Sequence, residues 1–97
     1  MAIPYQQVKA KSPDFAEAFC RRYLATGKKT GQWWIASTPW REDKNPSLGV
    51  NLSSGKWKDF AKGDRGDLTD LLARIDRCDG AEACLRLARM MGIVSAD

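Results

Sequence analysis

The chain of 97 residues contains no histidine. This excludes Ser-His-Asp and Cys-His catalytic sets, HExxH metalloprotease sites and any zinc site that needs an imidazole. Cysteine is scarce and odd in number, with Cys20, Cys78 and Cys84. No CxxC or CxxxC spacing occurs, so the chain offers neither a disulfide framework nor a cysteine-only zinc site. The three thiols read as reduced, small apolar core residues. No apolar run approaches the roughly 20 residues that a membrane-crossing helix needs. The opening Met-Ala-Ile-Pro-Tyr-Gln-Gln has neither the basic nor the apolar region of a secretory signal. A soluble, cytoplasmic chain is expected. Phosphate-cradling GxxxxGK[ST] and GxGxxG loops are also missing, and no nucleophile stands near a base. The expectation is therefore a protein that is not an enzyme, with no cofactor and no small-molecule substrate.

What is present is charge of uneven placement. The formal net charge is +4. Residues 1–62 carry eleven Lys/Arg against five Asp/Glu, whereas residues 63–97 carry five against seven. A basic first part and a mildly acidic second part point to one face turned toward an anionic partner.

Local patterns predict an α+β fold in a single domain, 1–97, with one N-terminal helix, a small antiparallel sheet and two C-terminal helices. Ser12, Pro13, Asp14 and Glu17 read as the start of the first helix, with Phe15, Phe19, Tyr23 and Leu24 as its apolar stripe. Gly27 ends it, with Arg21, Arg22, Lys28 and Lys29 crowding its C-terminal end, where cations are favoured. Gln32–Ser37 reads as a strand, and residues 38–46 as a loop bounded by Pro39 and Pro46. Ser47–Leu52 and Lys56–Phe60 form a hairpin around Ser53-Ser54-Gly55. Asp67 caps a second helix, with Asp70 three residues on and Leu68, Leu71, Leu72 and Ile75 facing inward. Asp79 caps a third, whose core side is expected at Ala81, Cys84, Leu85, Ala88 and Met91, with Gly92 as its stop.

Four tryptophans, Trp33, Trp34, Trp40 and Trp57, all fall in the β region or its loop. Trp33 and Trp34 are adjacent on a strand and must point to opposite faces. Rings on a sheet interleaved with Lys and Arg suit single-stranded nucleic acid, because bases stack on the rings while cations follow the phosphates. Rings of this kind also fill small cores, the reading that suits Trp57. Lys56 and Lys58 alternate with Trp57 and Asp59 and so share a face, where they either contact phosphates or protect the strand from aggregation. Asp64, Asp67 and Asp70 form an acidic row of the kind a metal-dependent enzyme could use to hold Mg²⁺; capping and the helix dipole, the favoured reading, explain Asp67 and Asp70 without a metal ion.

Taken together, Thr38-Pro39-Trp40-Arg41, Pro46-Ser47-Leu48, Trp57-Lys58-Asp59-Phe60-Ala61-Lys62-Gly63, Arg65-Gly66-Asp67-Leu68 and the segment Gly80–Ile93 resemble the zinc-ribbon domain at the N-terminus of bacterial and phage DNA primases. The resemblance spans residues 33–93. It implies that the metal-ligand positions are Thr38, Arg41, Asp59 and Lys62. None of these is the expected thiolate or imidazole, so a degenerate, metal-free ribbon is expected. On this reading Arg41 and Lys62 converge on Asp59 as an ion pair or triad, while Trp40, Trp57 and Phe60 supply packing.

The function that follows is a non-catalytic module that binds single-stranded DNA during replication or priming of a phage, plasmid or other mobile element, with a primase or helicase as a protein partner. The contact residues expected are Trp34, Trp40, Arg41, Lys44, Lys56 and Lys58, with Lys28 and Lys29 at the rim; Trp33 and Trp34 are interchangeable. The alternative is a protein-interaction module that docks on or inhibits a replication protein, because an exposed tryptophan ringed by charge is also a protein hot spot.

Overall fold

The computed structural model describes residues 3–40 and 46–93. Eight elements follow in order: α1 (Tyr5–Tyr23), β1 (Lys28–Thr30), β2 (Trp33–Ala36), β3 (Leu48–Asn51), β4 (Trp57–Asp59), β5 (Arg65–Gly66), α2 (Leu68–Asp76) and α3 (Gly80–Met90). The α+β expectation holds, with three helices and one antiparallel sheet of order β1-β2-β3-β4-β5.

The first helix differs from expectation. It begins at Tyr5 and carries Pro13 in its interior. Residues 5–11 include Gln, Lys and Ala, all good helix formers, and they extend the helix past the proline. Pro13 has no N–H for the Lys9 carbonyl. One residue earlier, the Ser12 hydroxyl donates to the Val8 carbonyl at 2.7 Å, which lets Ser12 sit buried. Ser12 is thus a back-bonded interior residue, and the N-cap position falls to Pro4.

Lys28 and Lys29 do not lie at the helix end. They belong to β1, an edge strand paired with β2 through Lys28↔Ile35, Lys29↔Trp34 and Thr30↔Trp33. The segment Lys-Lys-Thr has no apolar alternation, so only pairing with β2 makes it a strand.

The central hairpin forms as expected. Leu48 pairs with Asp59, Gly49 with Lys58 and Val50 with Trp57. Gly55 closes the turn at φ +75°, a conformation that glycine adopts without strain.

Alternation divides the sheet. Trp34, Ala36, Leu48, Val50 and Trp57 face the helices and are buried, together with Asp59. Trp33, Ile35, Gly49, Asn51 and Lys58 face outward. On the inner side α1 packs on β3 and α2 on β5, and α3 packs on both of these helices. The core joins Phe19 and Leu24 of the α1 region to Leu68, Leu71, Leu72 and Leu87.

The caps of the C-terminal helices match expectation. Asp67 Oδ1 accepts the Asp70 amide at 3.0 Å while Asp70 Oδ2 accepts the Asp67 amide at 3.2 Å, a full capping box. Asp79 Oδ1 accepts the Glu82 amide at 2.8 Å. The buried face of α3 is rotated from the expected one. It uses Ala83, Cys84, Leu87 and Ala88, and leaves Ala81, Leu85 and Met91 only half-buried. Both α1 and α2 pack on this helix.

Cys20 and Cys84 are buried and Cys78 is half-buried; all three are free thiols. Burial, aided by Glu17, pushes the Cys20 thiol up to about 12.

Candidate nucleic-acid interface

The outer face of the sheet is an open surface built around two rings. Trp33 on β2 is half-buried, and Phe60, which follows β4, is 54% exposed. Their centroids stand 5.9 Å apart. Gly49 of β3 lies beneath them. A Cβ there would sit 2.6 Å from Phe60 Cε2 and 3.1 Å from Trp33 Cε3, so glycine is what allows both rings to lie down on the strand.

Cations surround this platform. Lys58 holds its ammonium 5.9 Å from the Phe60 ring. Arg65 is its neighbour across β4 and β5. Lys56 stands one alternation before Lys58, and Lys28 lies opposite Ile35 at the β1 edge. All four cations are exposed. A strand crossing the sheet from β1 to β5 would travel about 19 Å, four inter-strand spacings, with cations at both ends and rings between.

The expected contact residues divide. Lys28, Lys56 and Lys58 reach this face. Lys29, opposite Trp34, points to the helix side and pairs with Glu17 at 2.9 Å. Lys29, with Arg21, holds the Glu17 carboxyl below its ordinary value.

Trp34 is 5% exposed, so it is the core member of the adjacent pair, contrary to its place among the expected contacts. Its indole N–H donates to the Leu24 carbonyl at 2.9 Å, and the ring packs close against Gly27. A saturated N–H and a ring wedged under the end of α1 leave nothing to offer a base.

Trp40 is half-buried on the helix side, edge-on to Trp57 at 5.7 Å. The Arg74 guanidinium lies 5.4 Å from the Trp40 ring and 5.2 Å from Trp57, and it also pairs with Asp64 at 3.1 Å. Trp40 thus belongs to a ring-and-cation cluster on the opposite face of the sheet from Lys56 and Lys58. Arg41 and Lys44 lie outside the described residues.

Sequence reasoning missed Phe60 and Arg65 as surface contacts. Alternation with buried Trp57 already placed Phe60 opposite it, so that signal was available. The pairing of Arg65 with Lys58 depends on β5, two residues long, which no periodicity can reveal.

The four metal-ligand positions can be tested as a donor set. Ala36, Leu48 and Asp59 form one rung across β2, β3 and β4. Thr38, two residues beyond this rung, and the turn 59–63 therefore emerge at the same end of the sheet. Thr38 is 3% exposed and Asp59 0%.

Asp59 Oδ1 accepts the backbone amides of Ala61 at 3.0 Å and Lys62 at 3.2 Å. The Asp59 backbone closes the same turn, accepting from Gly63 and donating to the Asp64 carbonyl, each at 2.7 Å. Lys62 thus meets Asp59 through its amide. Among the described residues no ion pair joins its ammonium to this carboxylate, and the other cation of the expected pair or triad, Arg41, lies outside the described residues.

A neutral hydroxyl, a lysine and a carboxylate already accepting two N–H groups do not fit Zn²⁺, which takes thiolates and imidazoles. Cys20, Cys78 and Cys84 sit on or between the helices instead. Among the described residues no group of three or more His, Cys, Asp or Glu side chains could hold a metal ion.

The fold agrees with a family comparison. A family model, the CHC2 zinc finger that forms the zinc ribbon of DnaG-type primases, matches residues 6–97, and the chain belongs to this family. Among solved structures, part of a chain described as the Aquifex aeolicus primase (zinc-binding and RNA polymerase domains) shares the fold, with a TM-score of 0.82 at 23% identity. The alignment covers 99% of this chain and 23% of the primase chain, so this chain spans about a quarter of that protein's length. No curated protein matches the sequence. No helix among the described residues is long and apolar enough to cross a membrane.

Proposed function

We propose that this chain is a non-catalytic, metal-free module that binds single-stranded DNA in replication or priming. The observation that carries the reading is the Trp33–Phe60 platform, open on the sheet's outer face and rimmed by Lys28, Lys56, Lys58 and Arg65. Its family membership supports the replication setting. A primase or helicase partner, and a phage, plasmid or other mobile element as its home, belong to the same reading; neighbouring genes check them.

Each base stacked on a ring contributes about 1–3 kcal/mol, and the cations add a salt-dependent attraction for phosphates. The test is a fluorescence titration with an oligodeoxynucleotide over a range of salt. Binding is expected to weaken by roughly 0.7 log unit per log salt for each phosphate neutralised. Trp33→Ala and the pair Lys58→Ala/Arg65→Ala should each reduce affinity. The exposed Phe60 ring favours a second reading, a protein-docking face. Absence of quenching at low salt would select that one.

A further inference from the structure

A metal held at the four ligand positions would join two stretches of chain, one after β2 and one after β4. The donor set does not fit Zn²⁺, yet Thr38 and Asp59 are both buried and the two stretches leave the sheet at the same end. A small domain without its metal needs another connection between them.

Arg74, in the last turn of α2, is placed to make it. Its guanidinium lies 5.4 Å from the Trp40 ring and 5.2 Å from the Trp57 ring, and it donates to Asp64 Oδ2 at 3.1 Å. The two rings meet edge-on at 5.7 Å. These three partners flank the ligand positions: Trp40 follows Thr38 by two residues, Trp57 precedes Asp59 by two, and Asp64 follows Lys62 by two. The Asp64 carbonyl also accepts the Asp59 amide at 2.7 Å, which links the pair back to the turn. A planar guanidinium offers its faces to rings and its edge N–H groups to a carboxylate at the same time, which an ammonium cannot do. The Arg74 and Asp64 side chains are 42% and 46% exposed, so their ion pair alone adds little and the ring contacts carry the attachment.

We propose that Arg74 takes over the metal's mechanical role, with one guanidinium fastening the chain after β2, β4 and the turn after β4 to α2. Arg74 is also a positioning residue. The turn 59–64 carries Phe60 near its start and leads directly into Arg65, the ring and the cation that reach the outer face. The proposal rests on the metal-free reading and on the outer-face interface.

The full chain and its variants are compared by thermal melting, by amide hydrogen exchange, and by oligodeoxynucleotide titration at a temperature where circular dichroism shows them folded. Arg74→Ala should lower the Tm by about 5–10 °C. It should speed exchange of the Asp59 and Gly63 amides by about tenfold, and by more than the α1 amides, whereas a merely global loss speeds both alike. It should weaken the oligonucleotide at least threefold. Arg74→Lys keeps the charge without the planar fork and should recover less than half of each loss. Arg74→Ala combined with Trp40→Ala should lower the Tm by less than the sum of the two. Arg86→Ala breaks ion pairs to Asp76 and Glu82 without a ring contact, and it should leave the turn's exchange and the affinity unchanged. An unchanged Tm in Arg74→Ala, full recovery by Arg74→Lys, additivity with Trp40→Ala, or equal effects from Arg86→Ala each overturn the proposal. A lowered Tm with full affinity overturns the positioning role alone. Stoichiometric zinc in the wild type overturns the metal-free reading, and a wild type that binds no oligonucleotide overturns the DNA-binding reading; the exchange and coupling results still judge Arg74 in both cases.

Discussion

Trp33 and Trp34 are consecutive in the chain and belong to different regions of the molecule. Trp34 joins the helix-covered face, where Val50 and Trp57 surround the strand and the Leu24 carbonyl takes its N–H. Trp33 joins the open face, where its neighbours are Phe60, Gly49 and exposed cations. One face spends its side chains on stability and the other leaves them available. Identical residues, one position apart, therefore respond differently to the same substitution.

The largest expected difference is in stability. Trp34→Ala should cost about 3–5 kcal/mol by urea unfolding, enough to unfold much of a domain this size. Trp33→Ala should cost less than half as much. Comparable losses at the two sites would dissolve the distinction between the faces.

Next is Asp59, which opens the turn 59–63 at one end of the buried face. Asp59→Ala leaves the Ala61 and Lys62 amides without their acceptor and should cost about 2–4 kcal/mol, at roughly 1–3 kcal/mol per orphaned group. Asp59→Asn retains one acceptor oxygen and should cost less. Added chelator should leave the wild-type Tm unchanged, and stoichiometric zinc in the purified protein would overturn the metal-free reading.

On the open face the effect moves from stability to affinity. Trp33→Ala should weaken oligonucleotide binding by about 1–3 kcal/mol, read by calorimetry. Phe60→Ala should weaken it less and barely alter the melting temperature.

The smallest effect is a pH dependence at Asp70. Burial, reinforced by the neighbouring Asp67, raises its pKa above the usual carboxylate value. A raised folded-state pKa favours folding while the group is protonated, and that contribution is lost as pH rises through the folded value. Asp70→Asn should therefore gain stability relative to wild type as pH rises from the acid range toward neutrality. Urea midpoints at several pH values check the sign.

Much of the frame was legible because it is local. The hairpin around Ser53-Ser54-Gly55, the Asp67/Asp70 box and the Asp79 cap depend on residues within a few positions of each other. The start of α1 was not, because Pro13 imitates a first-turn proline while residues 5–11 carry a helix through it. β1 was not, because Lys28-Lys29-Thr30 carries no apolar signal and takes its strand form from β2.

The candidate interface was half legible. Lys28, Lys56 and Lys58 were named and reach it. Trp40 was drawn away by Trp57 and Arg74, partners distant in sequence. Lys29 was drawn to Glu17, also across elements.

By itself, the amino-acid order determined which residues alternate, where α2 and α3 are capped, and that positions 38, 41, 59 and 62 carry no imidazole or thiolate, because these depend on residue chemistry and short-range geometry. Only the tertiary structure decided which face of the sheet was covered and which tryptophan stayed open. Burial is assigned by the packing of α1 and α2 against the sheet, with α3 packed on both, a choice between two sides that strand alternation leaves symmetric.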